Sequence, residues 1–223
     1  MIFSIENLIS PDEVTEIKGV LDGAEFVDGK LTAGWHAKLV KNNQQLKAGT
    51  SQQQLKAKIR SLLQKNALFQ SAVHPKSIHS ILFSRYESGM SYDTHVDNAL
   101  MNNDAGLCRS DVSFTLFLSS PHDYQGGELV IEGVQEEQSY KLEAGAAIVY
   151  PSTTLHRVNP VTEGRRLVVV GWVQSTIRHA SDRELLFDLE TARRAIFAKS
   201  GKTPEFDLIS KSIANLIRRW ADV

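Results

Sequence analysis

The chain has 223 residues, with 25 Lys and Arg against 26 Asp and Glu, and that near-balance excludes the basic excess of a nucleic-acid-binding protein. A hydrophobic share of 42% and a charged share of 23% are those of a soluble globular domain with a sizeable core. No apolar run approaches the roughly eighteen residues of a membrane span, the start MIFSIENLIS lacks the pattern of a signal peptide, and a single cysteine, Cys108, excludes an internal disulfide and fits a reducing cytoplasm.

From the N-terminus, Ser10-Pro11-Asp12-Glu13 supplies an N-cap, a proline at the first helical position and a Glu three residues after the cap. Val14, Ile17 and Leu21 follow at helical spacing. A second capping pair, Ser51 with Gln54, precedes Leu55, Ile59, Leu62 and Leu63 and predicts another helix. Between them, residues 29–43 are polar and irregular, an edge hairpin or a loop beside a cleft.

The period changes near Ile78. Short β-prone runs cover 78–86, 112–118, 128–132, 139–142, 146–150, 155–158 and 166–173, with turn residues such as Gly89, Pro121, Gly133, Gly145 and Pro160 between them. Many short strands with close turns predict a mainly β, α+β fold: a double-stranded β-helix of jelly-roll or cupin type, flanked by helices. The absence of βαβ alternation argues against a parallel sheet. After Thr176 the helical period returns. Ser181-Asp182-Arg183-Glu184 looks like a capping box ahead of a stripe Leu185, Leu189, Ala192 and Ile196, and Thr203-Pro204-Glu205 starts a helix with Phe206, Ile209, Ile213, Leu216 and Trp220. The expected organisation is a domain over 1–176, with core motifs at 78–175, and a C-terminal helical hairpin over 177–223. Its apolar content makes homo-oligomer contact through these helices an expectation.

Four residues carry chemistry. His95 and Asp97 stand at i and i+2, so on extended backbone both side chains reach one ion. His156 follows about sixty residues later, in a strand after a proline turn, and Arg166 lies ten residues beyond it. Two imidazoles and one carboxylate on one face of an octahedral ion leave positions open, as non-haem Fe(II) requires. Taken singly, a His-x-Asp is common on surface loops and a strand His is usually satisfied by its neighbours. Arg166 shares a strand face with Val168, Val170 and Trp172, where a guanidinium needs an anionic partner. By alternation alone, Arg165 could equally face inward, and a neighbouring Glu could be the partner.

Arg85-Tyr86-Glu87-Ser88-Gly89-Met90-Ser91-Tyr92-Asp93-Thr94-His95-Val96-Asp97 follows an R-Y-x-x-G-x-x-Y-x-x-H-x-D pattern. With Gly126-Gly127-Glu128-Leu129, Leu155-His156-Arg157-Val158, Gly164-Arg165-Arg166 and the early Val40-Lys41-Asn42-Asn43-Gln44-Gln45-Leu46, it resembles the Fe(II)- and 2-oxoglutarate-dependent dioxygenases of the prolyl-4-hydroxylase-like branch, and most closely the bacterial PKHD-type hydroxylases. The resemblance implies Fe(II) on His95, Asp97 and His156. It further implies Arg166 on the distal carboxylate of 2-oxoglutarate, with Tyr86 as a second donor there. Tyr92 and Trp172 would be pocket walls. The reaction implied couples O₂-dependent decarboxylation of 2-oxoglutarate, giving succinate and CO₂, to hydroxylation of a prolyl residue or small molecule, with ascorbate as reductant.

Two other readings stay open at this point. A cupin-type hydrolase or isomerase would use Zn²⁺ or Mn²⁺ on the same triad without need of Arg166, and a non-catalytic module would bind iron or 2-oxoglutarate without consuming O₂. His36, His74, His79, His122 and His179 lack ligand spacing and read as structural or exposed, and Cys108 as inert. Residues 29–43 and 98–109 would border the cleft, the latter as either a lid or a plain solvent loop.

Overall fold

The computed structural model describes residues 1–35, 37–103 and 106–223; His36, Asp104 and Ala105 lie outside the described residues. Helix α1 (Pro11–Asp22) starts as its sequence dictates. Glu13 N–H donates to Ser10 Oγ, the Glu13 carboxylate accepts from Ser10 N–H at 2.8 Å, and Val14, Ile17 and Leu21 are buried. Helix α2 (Thr50–Lys65) departs from expectation, since Ser51 lies inside it and Gly49 caps it without a side-chain bond. The buried Gln52 amide, donating to the Leu46 carbonyl at 3.0 Å, ties this end instead. A short helix α3 (Ala67–Val73) follows, capped by Asn66, whose Oδ1 accepts from Phe69 N–H.

Two antiparallel sheets form the body. The larger runs in the spatial order Phe3–Ile5, Ala147–Pro151, Val112–Phe117, Arg166–Ser175, Pro75–Tyr86, Gln44–Leu46 and Phe26–Asp28. The smaller runs Glu137–Tyr140, Leu129–Glu132, His156–Val158, Ser91–His95 and Lys41–Asn42. Alternation along each strand decides which core its side chains join. On Arg166–Ser175, Leu167, Val169 and Val173 pack against α1, α2 and α3, while Val168 joins Tyr86, Phe117, Tyr150, Leu129 and Val158 between the sheets. The sequence-predicted strands recur with shifted ends, and further strands join them, Ser91–His95, Lys41–Asn42, Gln44–Leu46, Phe26–Asp28 and Phe3–Ile5 within the two sheets.

Residues 98–109, read as either a lid or a plain solvent loop, contain an antiparallel pair of strands, Leu100–Asn103 with Gly106–Arg109. Helices α4 (Ala180–Ser200) and α5 (Pro204–Trp220) form the expected hairpin around Ile177, Leu186 and Ile213. The supposed capping box at Ser181 does not form: α4 begins at Ala180, behind His179, without a side-chain cap. The buried Arg183 instead donates to the carbonyls of Ile177 and Arg178, each at 2.8 Å, anchoring that turn. This docking turns the buried face to Leu186, so Leu185 and Ala192, expected inside, are exposed. Helix α5 keeps its expected Thr203 cap and its apolar stripe. Among the described residues no helix is long and apolar enough to cross a membrane.

Candidate metal centre

Register brings the triad together. His156 pairs directly with His95 across the antiparallel strands Ser91–His95 and His156–Val158, and opposite residues in such a pair hold their Cβ atoms about 5 Å apart. The two imidazole centroids are 4.3 Å apart. Asp97 follows two residues after the end of that strand, and one donor atom from each of His95, Asp97 and His156 lies within 4.8 Å of the others. Asp97 Oδ1 is 3.9 Å from His156 Nε2, and both side chains are almost wholly buried.

The surroundings orient each donor. His95 Nδ1 lies 2.8 Å from the Asp93 carbonyl, and His156 Nδ1 lies 2.9 Å from the Thr154 carbonyl. A carbonyl only accepts, so each Nδ1 carries a proton and each Nε2 is the nitrogen that can offer a lone pair to an ion. Ser113 Oγ donates to Asp97 Oδ2 at 2.6 Å and contacts Ser152 Oγ at 2.7 Å. Tyr92 stacks on His95 at 3.6 Å, and Tyr150 meets His156 edge-on. Burial pushes the phenols of Tyr92 and Tyr150 above their ordinary value, with the Asp97 charge acting in the same direction, so both stay neutral walls. Two imidazoles, one carboxylate and a supporting shell suit an octahedral divalent ion with open positions.

A cavity of about 930 Å³ joins this cluster to Arg166 and Trp172 on the large sheet, to Lys41 on the small one and to Asn43 between the two. Arg166 is 1% exposed, its Nε lacks a hydrogen-bond partner, and it makes no ion pair with a described residue. Its guanidinium lies 5.0 Å from the Tyr86 ring and 5.6 Å from that of Phe117. Gly127 makes room for it: a Cβ there would sit 3.1 Å from Arg166 Cδ and 2.8 Å from Val161. Arg165 points the other way and pairs with Asp22 at the surface, which separates the two arginines that alternation left equivalent. Tyr86 is buried beside Arg166, and burial raises its phenol.

Residues 29–43 and 98–109 both contribute to the cavity, through Thr32, Gly34 and Lys41 on one side and Asn98, Leu100 and Met101 on the other. Of the histidines set aside, His122 and His179 are exposed, and His79 is buried at the cavity's far end beside the Arg109 carbonyl. Three contributors escaped sequence reasoning. Ser113 and Thr115 put hydroxyls on the inner face of an otherwise apolar strand, which was a readable signal. Lys41 carried none, because its burial comes from strand pairing with Tyr92.

Residues 81–174 match the model of the 2OG-Fe(II) oxygenase superfamily. The chain is 65% identical over 222 residues to a PKHD-type hydroxylase of Gloeothece citriformis and 62% identical over 223 residues to one of Picosynechococcus sp., each match spanning the full length of both chains. Its fold is similar to that of a Pseudomonas putida prolyl-4-hydroxylase, with a TM-score of 0.54 and 22% identity, covering 78% of this chain and 92% of that one. A prolyl hydroxylase from Trichoplax adhaerens matches with a TM-score of 0.57 and 16% identity, covering 78% and 83%. Full-length identity at this level, over a fold shared with prolyl hydroxylases, shows that the chain belongs to the PKHD-type hydroxylases, Fe(II)/2-oxoglutarate dioxygenases of that superfamily.

Proposed function

We propose that the protein couples oxidative decarboxylation of 2-oxoglutarate to hydroxylation of a prolyl residue or small molecule held in the cavity. In this reading His95, Asp97 and His156 hold the ferrous ion, and Arg166 holds the distal carboxylate of 2-oxoglutarate. The observation that carries it is Arg166 itself: a guanidinium buried without an ion-pair partner, in the same cavity as the donor cluster. Leaving such a cation unpaired costs several kcal/mol, and a planar guanidinium matches a carboxylate through two parallel hydrogen bonds.

When bound, Fe(II) supplies the dioxygen chemistry that converts 2-oxoglutarate to succinate and CO₂ and places one oxygen atom on the substrate. The chain's own work is geometry. The Asp93 and Thr154 carbonyls aim both imidazole lone pairs, Ser113 fixes the Asp97 carboxylate, and the Tyr92 ring prevents His95 from turning. Tyr86, under the guanidinium, is proposed as a second donor to the same carboxylate. Leu129, Val170 and Trp172 give the cavity apolar walls that limit water.

The test is an anaerobic titration with Fe(II) and 2-oxoglutarate, followed by visible absorption. A charge-transfer band should appear only when both are present, and Asp97→Ala should abolish it. Metal binding indifferent to 2-oxoglutarate would move the assignment to a metal-dependent hydrolase.

A further inference from the structure

A second cation is buried in the same cavity, and the proposed reaction does not use it. Lys41 lies on the edge strand Lys41–Asn42 of the small sheet, is 5% exposed, and borders the cavity beside Tyr92. Its Nζ donates to Thr32 Oγ1 at 3.3 Å and stands 5.2 Å from the centre of the Tyr92 ring. No described carboxylate lies within ion-pair distance of it. An ammonium has three donors, and the hydrogen bond to Thr32 uses one of them. Burial holds its pKa down, to about 8, while Asp97 and Asp28 act from a distance to keep it charged.

Formal charge shows what this cation is for. A ferrous ion, the Asp97 carboxylate, Arg166 and dianionic 2-oxoglutarate cancel one another, and none of them balances Lys41. The rest of the wall does not supply the missing anion. Lys56, Arg60 and Lys76 also border the cavity, and among the described residues Asp97 is its single carboxylate. A cavity lined by one sign of charge concentrates ligands of the opposite sign.

We propose that Lys41 anchors an anionic group of the substrate, a carboxylate carried by a small molecule or by an acidic side chain of a polypeptide. This assignment of substrate class rests on the 2-oxoglutarate reading, because Arg166 must be occupied by the co-substrate for Lys41 to remain the free anchor. Lys41 is thereby a specificity residue that selects acid over amide at one end of the substrate, while the triad acts at the other.

The experiment uses the full chain, anaerobic, loaded with Mn(II) and saturating 2-oxoglutarate so that Arg166 is closed to the probes. Two probe pairs are titrated by calorimetry: N-acetylglutamate against N-acetylglutamine, and the peptide acetyl-Gly-Glu-Gly-Glu-Gly-amide against its glutamine isostere. The acid member of at least one pair should bind about tenfold more tightly or better, the scale of one charge-assisted hydrogen bond. Lys41→Met should reduce that preference to within about twofold of unity on the same scale, and Lys41→Arg should retain it. Response of the small pair alone assigns a free small-molecule acid, and response of the peptide pair alone an acidic polypeptide; both support the anchor. Equal binding of acid and amide by the wild-type protein overturns it, as does a preference that survives Lys41→Met. Should the variants fail to fold, a co-crystal of the wild-type protein with the acid probe decides. The probe carboxylate must lie within hydrogen-bond reach of Lys41 Nζ, and a carboxylate seated on Arg60 or Lys76 instead overturns the proposal. The 2-oxoglutarate titration is read first on the same protein, so failure of the co-substrate assignment registers there and not in the probe comparison.

Discussion

Ser113 donates its hydroxyl proton to Asp97 Oδ2 at 2.6 Å, from a strand of the large sheet and across sixteen residues of sequence. The bond fixes which carboxylate oxygen faces the imidazoles. Removing such a supporting partner typically lowers metal affinity by about 10–100-fold, and Ser113→Ala is expected to do so with the fold retained. Calorimetric titration with Mn(II) measures it; an affinity equal to wild type would remove Ser113 from the site's design.

Arg166→Met is expected to separate binding from stability. Co-substrate binding should weaken by about 2–5 kcal/mol, the range for truncating one partner of a buried charge pair. Thermal stability should be equal or higher, because a buried cation without a protein ion-pair partner is replaced by an apolar side chain. A large fall in melting temperature would mean that the guanidinium serves the fold.

Gly127 has φ +67°, and an added Cβ would approach Val161 Cγ2, Tyr124 Cε2 and Arg166 Cδ within 2.8–3.1 Å. Gly201 has φ +69° with nothing within 4 Å of its added Cβ. Gly201, at φ 69° and ψ −151°, lies in a region almost reserved for glycine, so Gly201→Ala should show only that conformational penalty, about 1–3 kcal/mol. Gly127→Ala adds a steric cost of about 1–3 kcal/mol and should displace Arg166. Denaturant unfolding of the two variants, with 2-oxoglutarate binding measured alongside, tests the comparison, and equal effects would refute it.

Burial holds the His79 imidazole below its ordinary value of 6.5, although the Arg109 carbonyl and Asp111 act the other way. Above that value both folded and unfolded chains carry it neutral, and its contribution is complete. As the pH falls below it, the unfolded chain takes up the proton first, so stability declines until the folded imidazole titrates. His74 acts in the same sense. Melting temperature should fall between about pH 7 and pH 5, and His79→Gln should make the slope shallower; an unchanged slope would exclude His79 as a source.

Much of the site was legible because it is written in local spacing. His95 and Asp97 share a face by their i, i+2 separation, and Arg166 sits on the inner face of its strand with Val168 and Val170. The direct pairing of His156 with His95 depends on register between segments sixty residues apart, and no local pattern encodes it. The same limit hid Lys41, which is polar by type and buried by its neighbours. Helix starts went astray where a buried hydrogen bond outranked a surface cap, as Gln52 does for α2 and Arg183 for α4. Residues 98–109 looked like a loop because Asn and Gly are poor strand formers, yet cross-strand pairing holds an antiparallel pair of strands there.

The carbonyls that choose the imidazole tautomers at His95 and His156 belong to the backbone, so the donors stand ready before any ion arrives. Such a claw has little means of telling ferrous iron from its first-row neighbours, several of which bind nitrogen and oxygen donors more strongly. Discrimination then falls to cellular supply, and protein recovered from a nickel resin should be catalytically silent until the bound ion is exchanged.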